Sequence, residues 1–325
     1  MPADLTSCGD PARRHDFILL FECTDGNPNG DPDAGNMPRV DPETMQGLVT
    51  DVCLKRKVRN FVTLTKNGEP GYEIYVNDRG VALNTLHEEG YQNKDIPAGA
   101  GDDGKAIKST GTKQNRGDIE TVRARMCRRF FDVRTFGAVM TTGFNAGQVR
   151  GPVQMTFARS VSPIVPLDVA ITRVAITRPQ DADVIITGEG DERTSSGKTT
   201  EIGRKPMIPY GLYVAHGFFS APFAAQTGVQ RADLELLWTA LMNMWDLDHS
   251  ASRGLMACRG LYVFSHDNAL GNAPAHTLFE HLTVRKRDGV EAPRRYQDYV
   301  VTPPSASAIL EATNGAVTLT SLVEG

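Results

Sequence analysis

The segment FILLFECT, residues 17–24, is a nearly continuous apolar run whose alternation predicts a β-strand with one face on a core. The next segment, DGNPNGDPDAGN at residues 25–36, predicts a long irregular loop because its Gly, Pro, Asn and Asp residues disfavour a strand. Asp41 and Pro42 then suit the N-cap and first position of a helix that extends to about residue 62. Strand, loop and helix together indicate a candidate site.

The second half of the predicted helix is basic, with the sequence LKRKVR at residues 54–59. Lys55 and Arg59 are four residues apart and are therefore predicted to share one exposed face, with Arg56 about a quarter-turn away. The apolar stripe predicted for this helix consists of Met45, Leu48, Val49, Val52 and Cys53. Basic side chains beside an Asn- and Gly-rich loop suit phosphate groups, although a solvated helix face explains the same composition equally well.

The composition is that of an ordinary water-soluble protein and allows one elaborated domain or two. Of the 325 residues, 40% are hydrophobic and 23% are charged, and the formal net charge is −4. No overall basic field indicates nucleic-acid binding, so local clusters must supply it. The five cysteines form no C-x-x-C pair, which argues for reduced thiols and against a disulfide framework or a structural zinc site. No apolar run approaches membrane-spanning length, and we expect a cytoplasmic protein.

Beyond the opening segment, strands interleave with two main predicted helices without regular alternation. This pattern predicts a single α+β domain over residues 1–325, with an antiparallel sheet and large insertions. The helices are predicted at residues 118–131 and 233–245, and the strands at 72–76, 152–162, 169–177, 208–219, 261–264, 282–287 and 299–302. The remaining predictions are a surface insertion at residues 84–113, a projecting hairpin at 179–209, and a weakly packed tail at 303–325.

Two of these elements bear further on a binding surface. The segment at residues 152–162 is predicted to be an extended strand. Its apolar side chains Val153, Met155 and Phe157 would lie on one face, and Gln154 and Thr156 on the opposite face. The helix at residues 118–131 carries a second basic group, made of Arg123, Arg125, Arg128 and Arg129. This group is a weaker candidate for phosphate binding than the cluster at residues 54–59.

Two familiar motifs, the calcium-binding loop and the P-loop, are matched only in part. The loop at residues 25–36 imitates a calcium loop, but Asn36 stands at the twelfth position, where a carboxylate is required, and a strand precedes the loop. The sequence SGKT at residues 196–199 imitates the end of a phosphate-binding P-loop, but Glu192 stands where the motif needs glycine. Neither calcium binding nor nucleotide hydrolysis is therefore predicted, and SGKT is interpreted as a polar hairpin tip.

Five blocks of sequence resemble one known family. They are FECTDGNPNGDP (residues 21–32), LKRKVRN (54–60), DVRTFGAV (132–139), GPVQ (151–154) with Arg159 and Ser160, and SASRG (250–254). In this order they resemble the backbone family of the Cascade CRISPR surveillance complexes, and most strongly its Csd-type member from type I-C systems. The resemblance spans residues 17 to about 263, and five ordered blocks are more specific than any one alone.

The resemblance implies an RRM-like (ferredoxin-like) palm with a projecting thumb hairpin, for which residues 183–205 are the match. Copies of the chain would form a helical filament along CRISPR RNA, with each thumb crossing the guide. The implied partners are CRISPR RNA, target DNA through that guide, further copies of the chain and other Cascade subunits. The aromatic RNP signature of RRM domains is not visible here, so stacking of bases on the sheet is not expected.

Residues that match the family's pattern become the candidate RNA contacts. They are Lys55, Arg56 and Arg59 on the helix, Gln154, Arg159 and Arg253 in the other blocks, and Lys198, Thr199, Arg204 and Lys205 on the thumb. Type I backbone subunits are regarded as non-catalytic, so no catalytic residue, metal or cofactor is predicted. The rival interpretation is a metal-dependent ribonuclease that uses Asp25, Asp31 and Asp33.

Overall fold

The computed structural model describes residues 5–78, 80–99, 101–108, 115–175, 177, 185–187, 194–196 and 200–325. Its strands are β1 (His15–Gly26), β2 (Gly30–Asp31), β3 (Met37–Pro38), β4 (Gln46–Val49), β5 (Gly137–Met140), β6 (Gly147–Arg150), β7 (Val153–Met155), β8 (Ala158–Pro163), β9 (Leu167–Arg173), β10 (Ile185–Thr187), β11 (Thr194–Ser196), β12 (Glu201–Phe219), β13 (Leu255–His266), β14 (Thr283–Lys286), β15 (Tyr299–Thr302) and β16 (Val317–Glu324). Its α-helices are α1 (Asp51–Thr65), α2 (Leu83–Gln92), α3 (Arg116–Arg129), α4 (Phe131–Phe136), α5 (Ala221–Thr227), α6 (Arg231–Asn243), α7 (Ala275–Phe279) and α8 (Ala306–Ala312).

A large antiparallel sheet organises the molecule, as the α+β prediction required. Within the described residues it has eight strands, ordered β16-β13-β1-β12-β8-β4, with β7 and β9 also paired to β12. Its central strand, β1, is hydrogen-bonded to β12 on one edge and to β13 on the other. Helix α1 follows β1 in the chain after the short strands β2, β3 and β4. Helices α5 and α6 lie between β12 and β13.

Both faces of β1 are buried, so the prediction that only one face meets a core was wrong. Phe17, Leu19 and Phe21 pack with residues of α1 and α6 in the main core. Ile18 and Leu20 point the other way, into two smaller clusters formed with residues of α7, α8, β14, β15 and β16. A strand buried on both faces explains why residues 17–21 are continuously apolar.

The first helix begins at Asp51, later than the predicted start at Pro42. Thr50 is its N-cap, and the Oγ1 atom of Thr50 accepts a hydrogen bond from the backbone N–H of Cys53 at 3.2 Å. Asp41 instead stabilises a turn by accepting the N–H of Glu43 at 3.1 Å. The helix cannot start earlier because Met45 has a left-handed φ of 57° and the next four residues form β4.

This later start changes which side of the helix is buried. The buried apolar residues of α1 are Leu54, Val58, Phe61 and Val62, whereas Val52 is 68% exposed. The predicted stripe counted Met45, Leu48 and Val49 as helical, although the first precedes β4 and the other two lie within it. Helical spacing counted through a strand therefore gave the wrong face.

Several other predicted elements are confirmed, and two are wrong. The core helix appears as α6, and the strand at residues 208–219 is the buried half of β12. The predicted strand at residues 72–76 is only an isolated bridge between Glu73 and Phe130. The tail is not weakly packed, because Ile309 of α8 is buried and β16 pairs with β13 at the edge of the main sheet.

A two-stranded ribbon extends from the sheet in the region of the predicted hairpin. It pairs β9 with the first part of β12, Glu201 to Met207, and every residue of β9 is exposed. Within the predicted hairpin, β10 pairs with β11. Lys198 and Thr199 lie outside the described residues. No helix in the described part of the chain is long and apolar enough to span a membrane.

A buried histidine links the lead-in segment to the sheet. The Nε2 atom of His15 lies 2.8 Å from the carbonyl oxygen of Asp10, and the Nδ1 atom lies 2.9 Å from the Ser265 hydroxyl. Only an N–H can bond to a carbonyl, so Nε2 carries the proton and Nδ1 accepts from Ser265. Burial lowers the pKa of His15 to about 4, with Arg13 and His266 acting in the same direction and Asp10 opposing them.

We predict that protonation of His15 makes the free energy of unfolding fall as the pH drops below 6.5. In the unfolded chain His15 binds a proton near pH 6.5, whereas in the folded chain it binds one only near pH 4. The expected loss from this one group is about 2 kcal/mol between pH 7 and pH 5. Urea denaturation at the two pH values measures it, and His15→Gln should reduce the difference by about this amount, while His87 and His216, whose pKa values burial also lowers, add to the difference in both proteins. An unchanged difference in His15→Gln would assign the effect to other groups.

Candidate nucleic-acid interface

Two of the predicted RNA contacts on α1 are buried rather than exposed. Lys55 and Arg59 are each 9% exposed, so the predicted exposed face was wrong. The Nζ atom of Lys55 lies 3.1 Å from the Asp51 carboxylate and 3.2 Å from the Oε1 atom of Gln154. Both basic side chains also lie over the Phe136 ring, since α1 packs against α4 along this side.

The buried carboxylate of Asp132 explains the position of Arg59. Arg59 donates to Asp132 at 2.8 Å, and Asp132 is 1% exposed. The same carboxylate accepts the backbone N–H groups of Tyr75 at 2.8 Å and Val76 at 3.1 Å. Arg59 therefore joins α1, α4 and the segment around Tyr75, which is a structural role for the isolated chain.

A second set of paired charges leads from the interior to the surface. The ammonium group of Lys57, which is almost fully buried, contacts the carboxylate of Asp248. Asp248 also accepts from the Nε atom of Arg253 at 3.0 Å, and the Arg253 side chain is 40% exposed. Because Asp248 is held by two cations, it fixes Arg253 without leaving an uncompensated negative charge.

Arg253 forms one side of a cleft of about 500 Å³ beside the first half of α1. Arg39 and Arg56 line the same cleft, so three arginines border it. Arg56 is half-buried and makes no ion pair within the described part of the chain. The other lining residues are Asn29, Thr50, Val52, Cys53, Lys57, Asn60, Phe157 and Asp248. Among these described residues Asp248 is the single acid, so the cleft has a net positive charge.

Close packing of two loops builds this cleft. Asn27 donates its backbone N–H to the carbonyl oxygen of Ser252 at 2.8 Å. A Cβ atom on Gly26 would lie 2.0 Å from the carbonyl oxygen of Arg253, so only glycine allows this approach. The segments FECTDGNPNGDP and SASRG, which are distant in sequence, therefore touch in the structure.

The same loop is also attached to the start of α1. The side-chain oxygen of Asn29 accepts the backbone N–H of Thr50 at 2.9 Å and its hydroxyl at 3.0 Å. Arg39 pairs with Asp31 at 3.3 Å, and its Nε atom is buried without a hydrogen-bond partner among the described residues. Sequence reasoning missed Arg39 because it stands alone in the chain, outside any basic cluster.

The remaining predicted contacts do not line this cleft. Gln154 is exposed and donates to two backbone carbonyl groups, and exposed Arg159 pairs with Asp41 at 2.9 Å. Arg204 pairs with Asp168 on the ribbon, where Lys205 lies opposite Val169. Of the predicted contacts that the structure describes, it therefore brings only Arg56 and Arg253 together in the cleft.

The basic helix α3 is also explained by internal pairing. Arg125 is fully buried and, with Arg128, holds the carboxylate of Asp102. Hydrogen bonding from Arg125 keeps the pKa of Asp102 far below its usual range. Arg129 pairs with two glutamates, Glu73 and Glu89, at 2.9 Å each. This second basic group is therefore mostly committed to the fold.

The acidic loop does not assemble a metal centre. The Oδ1 atom of Asp31 accepts the backbone N–H of Asp33 at 3.1 Å and pairs with Arg39. In the ranges that the structure describes, no three His, Cys, Asp or Glu side chains are grouped to hold a metal ion. This arrangement does not favour the ribonuclease interpretation.

Comparison with known proteins decides the family. The family model for CRISPR-associated protein Cas7 matches residues 13–303, which is most of the chain. The chain belongs to the Cas7 family. This confirms the backbone family to which the five sequence blocks pointed.

Individual relatives of this Cas7-family chain are distant. A CRISPR-associated protein Cas7 from Haloferax volcanii is 27% identical over 252 residues, which cover 71% of this chain and 64% of the relative. A solved chain from a CRISPR RNA-guided surveillance complex, pre-nicking, is similar with a TM-score of 0.45 and 14% identity. The match covers 77% of this chain and 78% of the solved chain. A second solved chain, from a CRISPR RNA-guided surveillance complex, has a TM-score of 0.41 and 14% identity, and the match covers 86% of this chain and 78% of the solved chain.

We predict that Arg59→Ala lowers the free energy of unfolding by about 3 to 5 kcal/mol, since it leaves the buried Asp132 carboxylate without its cation. Arg56→Ala is the matched control on the same helix and should change stability by about 0.5 kcal/mol or less. Chemical denaturation of both variants measures the difference. Equal stabilities would contradict the structural role of Arg59.

Proposed function

We propose that this chain is the guide-binding backbone subunit of a type I-C Cascade complex. In this proposal it grips the sugar-phosphate backbone of CRISPR RNA and leaves the bases free to pair with target DNA. One observation carries the proposal, namely the convergence of Arg39, Arg56 and Arg253 on one cleft whose single acid is already paired. Membership of the Cas7 family supports it.

The chemistry of the cleft suits phosphate and does not read sequence. Guanidinium groups offer several N–H donors in a planar fork that matches phosphate oxygens. Asn29, Asn60 and Thr50 add neutral hydrogen-bonding groups beside them. Because the chain as a whole carries −4 charges, this local group supplies the attraction for RNA. Delegating sequence to base pairing requires contacts of this sequence-independent kind.

We further infer that the palm is RRM-like. The strand order β13-β1-β12-β8, with α1 after β1 and α6 between β12 and β13, agrees with a βαββαβ arrangement. The sheet face opposite these two helices is covered by α7, α8 and the β14–β15 ribbon, and Tyr210 and Tyr299 are buried there. In our proposal the RNA therefore follows the loops at the end of β1 instead of the sheet face.

The other predicted contacts have secondary roles in the proposal. Gln154 and Arg159 lie on the exposed sides of β7 and β8, next to the cleft residue Phe157, and extend the RNA track. Lys55 contributes by exchanging its partly exposed partner Asp51 for a phosphate. Arg59 acts as a positioning residue through Asp132.

We assign the thumb to the ribbon formed by β9 and β12, and propose that it joins copies of the chain into a filament. Leu167, Val169 and Ile171 alternate along β9, so they share one exposed face, with Met207 opposite Leu167. A two-stranded ribbon with an exposed apolar face gains stability when that face is covered. Arg204 and Lys205 belong to this thumb in the proposal, as contacts to RNA or to a neighbouring copy, and Lys198 and Thr199, which lie outside the described residues, keep the same proposed role.

We predict that Arg56→Gln weakens binding to single-stranded RNA and makes its salt dependence shallower by about 0.7 in the log–log slope, since one phosphate contact is lost. Arg285→Gln, an exposed arginine on β14, is the matched control and should behave as the wild type. Fluorescence anisotropy with labelled RNA at several salt concentrations measures both quantities.

Two results would overturn the proposal. One is equal RNA affinity and salt dependence in the wild type and Arg56→Gln. The other is cleavage of the labelled RNA in magnesium or manganese that disappears in Asp31→Ala, which would restore the ribonuclease interpretation. Intact RNA in that incubation supports a non-catalytic subunit.

We also predict that Val169→Asp with Ile171→Asp prevents assembly on long RNA, because it places charges on the apolar face of the ribbon. Ala170→Asp with Thr172→Asp is the control, since these residues lie on the opposite face of the same strand. Sedimentation velocity with and without RNA measures assembly. Filaments of normal length in the first variant would exclude this face from the contact between copies.

A further inference from the structure

The cationic cleft contains two apolar side chains that phosphate binding does not explain. Phe157 is 53% exposed and Val52 is 68% exposed, and both line the cleft beside the guanidinium groups. Phosphate and ribose oxygens gain nothing from a phenyl ring. A large aromatic side chain half-exposed among positive charges is therefore available to a second, apolar component of the ligand.

The exposure of Phe157 results from a change in strand phase. Regular alternation from Val153 would place Phe157 on the buried side together with Met155, as the sequence predicts. In the structure Val153 and Met155 are buried, but Phe157 is exposed and Ala158 is buried. The alternation thus shifts by one residue between β7 and β8. Irregularities of this kind re-aim side chains next to functional sites.

The backbone on both sides of Phe157 is held in place. Thr156 donates its N–H to the carbonyl oxygen of His216 at 2.8 Å and accepts the N–H of His216 on its hydroxyl at 3.1 Å. On the other side Ala158 pairs with Val49 of β4, the residue before the N-cap of α1. The backbone therefore carries Phe157 to the cleft beside the first turn of α1, which Val52 also lines.

We propose that Phe157 is a stacking platform for one nucleobase of the bound strand, with Val52 as a second apolar wall. This inference rests on the proposed function and deepens it. In basic grooves that bind single-stranded nucleic acid, bases stack on aromatic rings, and every base has a flat π-face that can stack in this way. The contact is therefore base-dependent but tolerant of sequence, as a guide of variable sequence requires.

The charges around the ring favour a nucleic acid over a protein segment as the occupant. Arg39, Arg56 and Arg253 line the same cleft as the apolar pair, and Asp248 is already neutralised by Lys57 and Arg253. A nucleotide brings a flat apolar base and a negative phosphate in one unit, and it matches both features. An apolar protein side chain would match the ring alone and leave Arg56, which makes no ion pair in the described part of the chain, without an anionic partner.

The experiment compares the full chain bound to single-stranded RNA and to an abasic ribose-phosphate oligomer of the same length. Phe157→Ala should lose about tenfold in affinity for the RNA and less than twofold for the abasic oligomer. Phe157→Trp should restore the RNA affinity, and its added fluorescence should be quenched by the RNA and not by the abasic oligomer. Thermal unfolding should be unchanged in both variants, since the ring is exposed.

Several results would overturn the stacking role. They are an unchanged RNA affinity in Phe157→Ala, an equal loss for both oligomers, and altered self-association of Phe157→Ala without nucleic acid, which would make the ring a protein contact. Arg56→Gln separates this inference from the proposed function, because it should weaken both oligomers alike. If the wild type binds both oligomers and Phe157→Ala changes neither affinity, the stacking role is wrong but phosphate binding in the cleft is supported. If the wild type binds neither oligomer, the stacking role and the proposed function are both wrong.

Discussion

The candidate site depends on the antiparallel pairing of β1 with β13. In this register Thr24, near the end of β1, lies opposite Leu255, the first residue of β13. The loop that leaves β1 and the loop that enters β13 therefore emerge at the same edge of the sheet. Gly26 allows these loops to touch, and the contact brings Arg253 to the cleft beside α1. A register shift of one residue would exchange the faces of β1 and separate these groups.

Ion pairing then decides which basic residues remain available to a ligand. The sequence LKRKVR carries four cations on one helix, but three of them are committed to carboxylates: Lys55 to Asp51, Lys57 to Asp248 and Arg59 to Asp132. Arg56 makes no such pair in the described part of the chain, and it faces the cleft. Burying a cation without a partner is costly, so the inward-facing positions acquire acids from other elements. Judged by composition alone, the helix therefore offers more basic side chains to a ligand than the structure leaves free.

The chain belongs to the Cas7 family and has a net negative charge, so its cationic cleft is a local feature. The positive groups of the cleft are few and concentrated, and most other cations in the described part of the chain pair with acids. The sheet face opposite α1 and α6 is covered by residues from the last quarter of the chain. If RNA binds as we propose, the loops and the first turn of α1 provide the contact surface, and the exposed ring of Phe157 supplies the aromatic contact that the covered face cannot.

The sequence by itself determined the α+β class, the apolar core strand, the helix α6 and the family, because these depend on local periodicity and on ordered blocks of residues. It also named Arg56 and Arg253 as candidate contacts, and the structure brings both to one cleft. Only the tertiary structure decided that α1 begins after β4, that Lys55 and Arg59 are internally paired, that Arg39 joins the cleft, and that Phe157 turns outwards. Apart from the Lys55–Asp51 pair, which joins neighbouring turns of α1, each of these depends on a partner distant in sequence, such as Asp132 for Arg59 or β4 for the strand phase at Ala158. Local spacing carries no information about such partners, so the chain alone could not specify them.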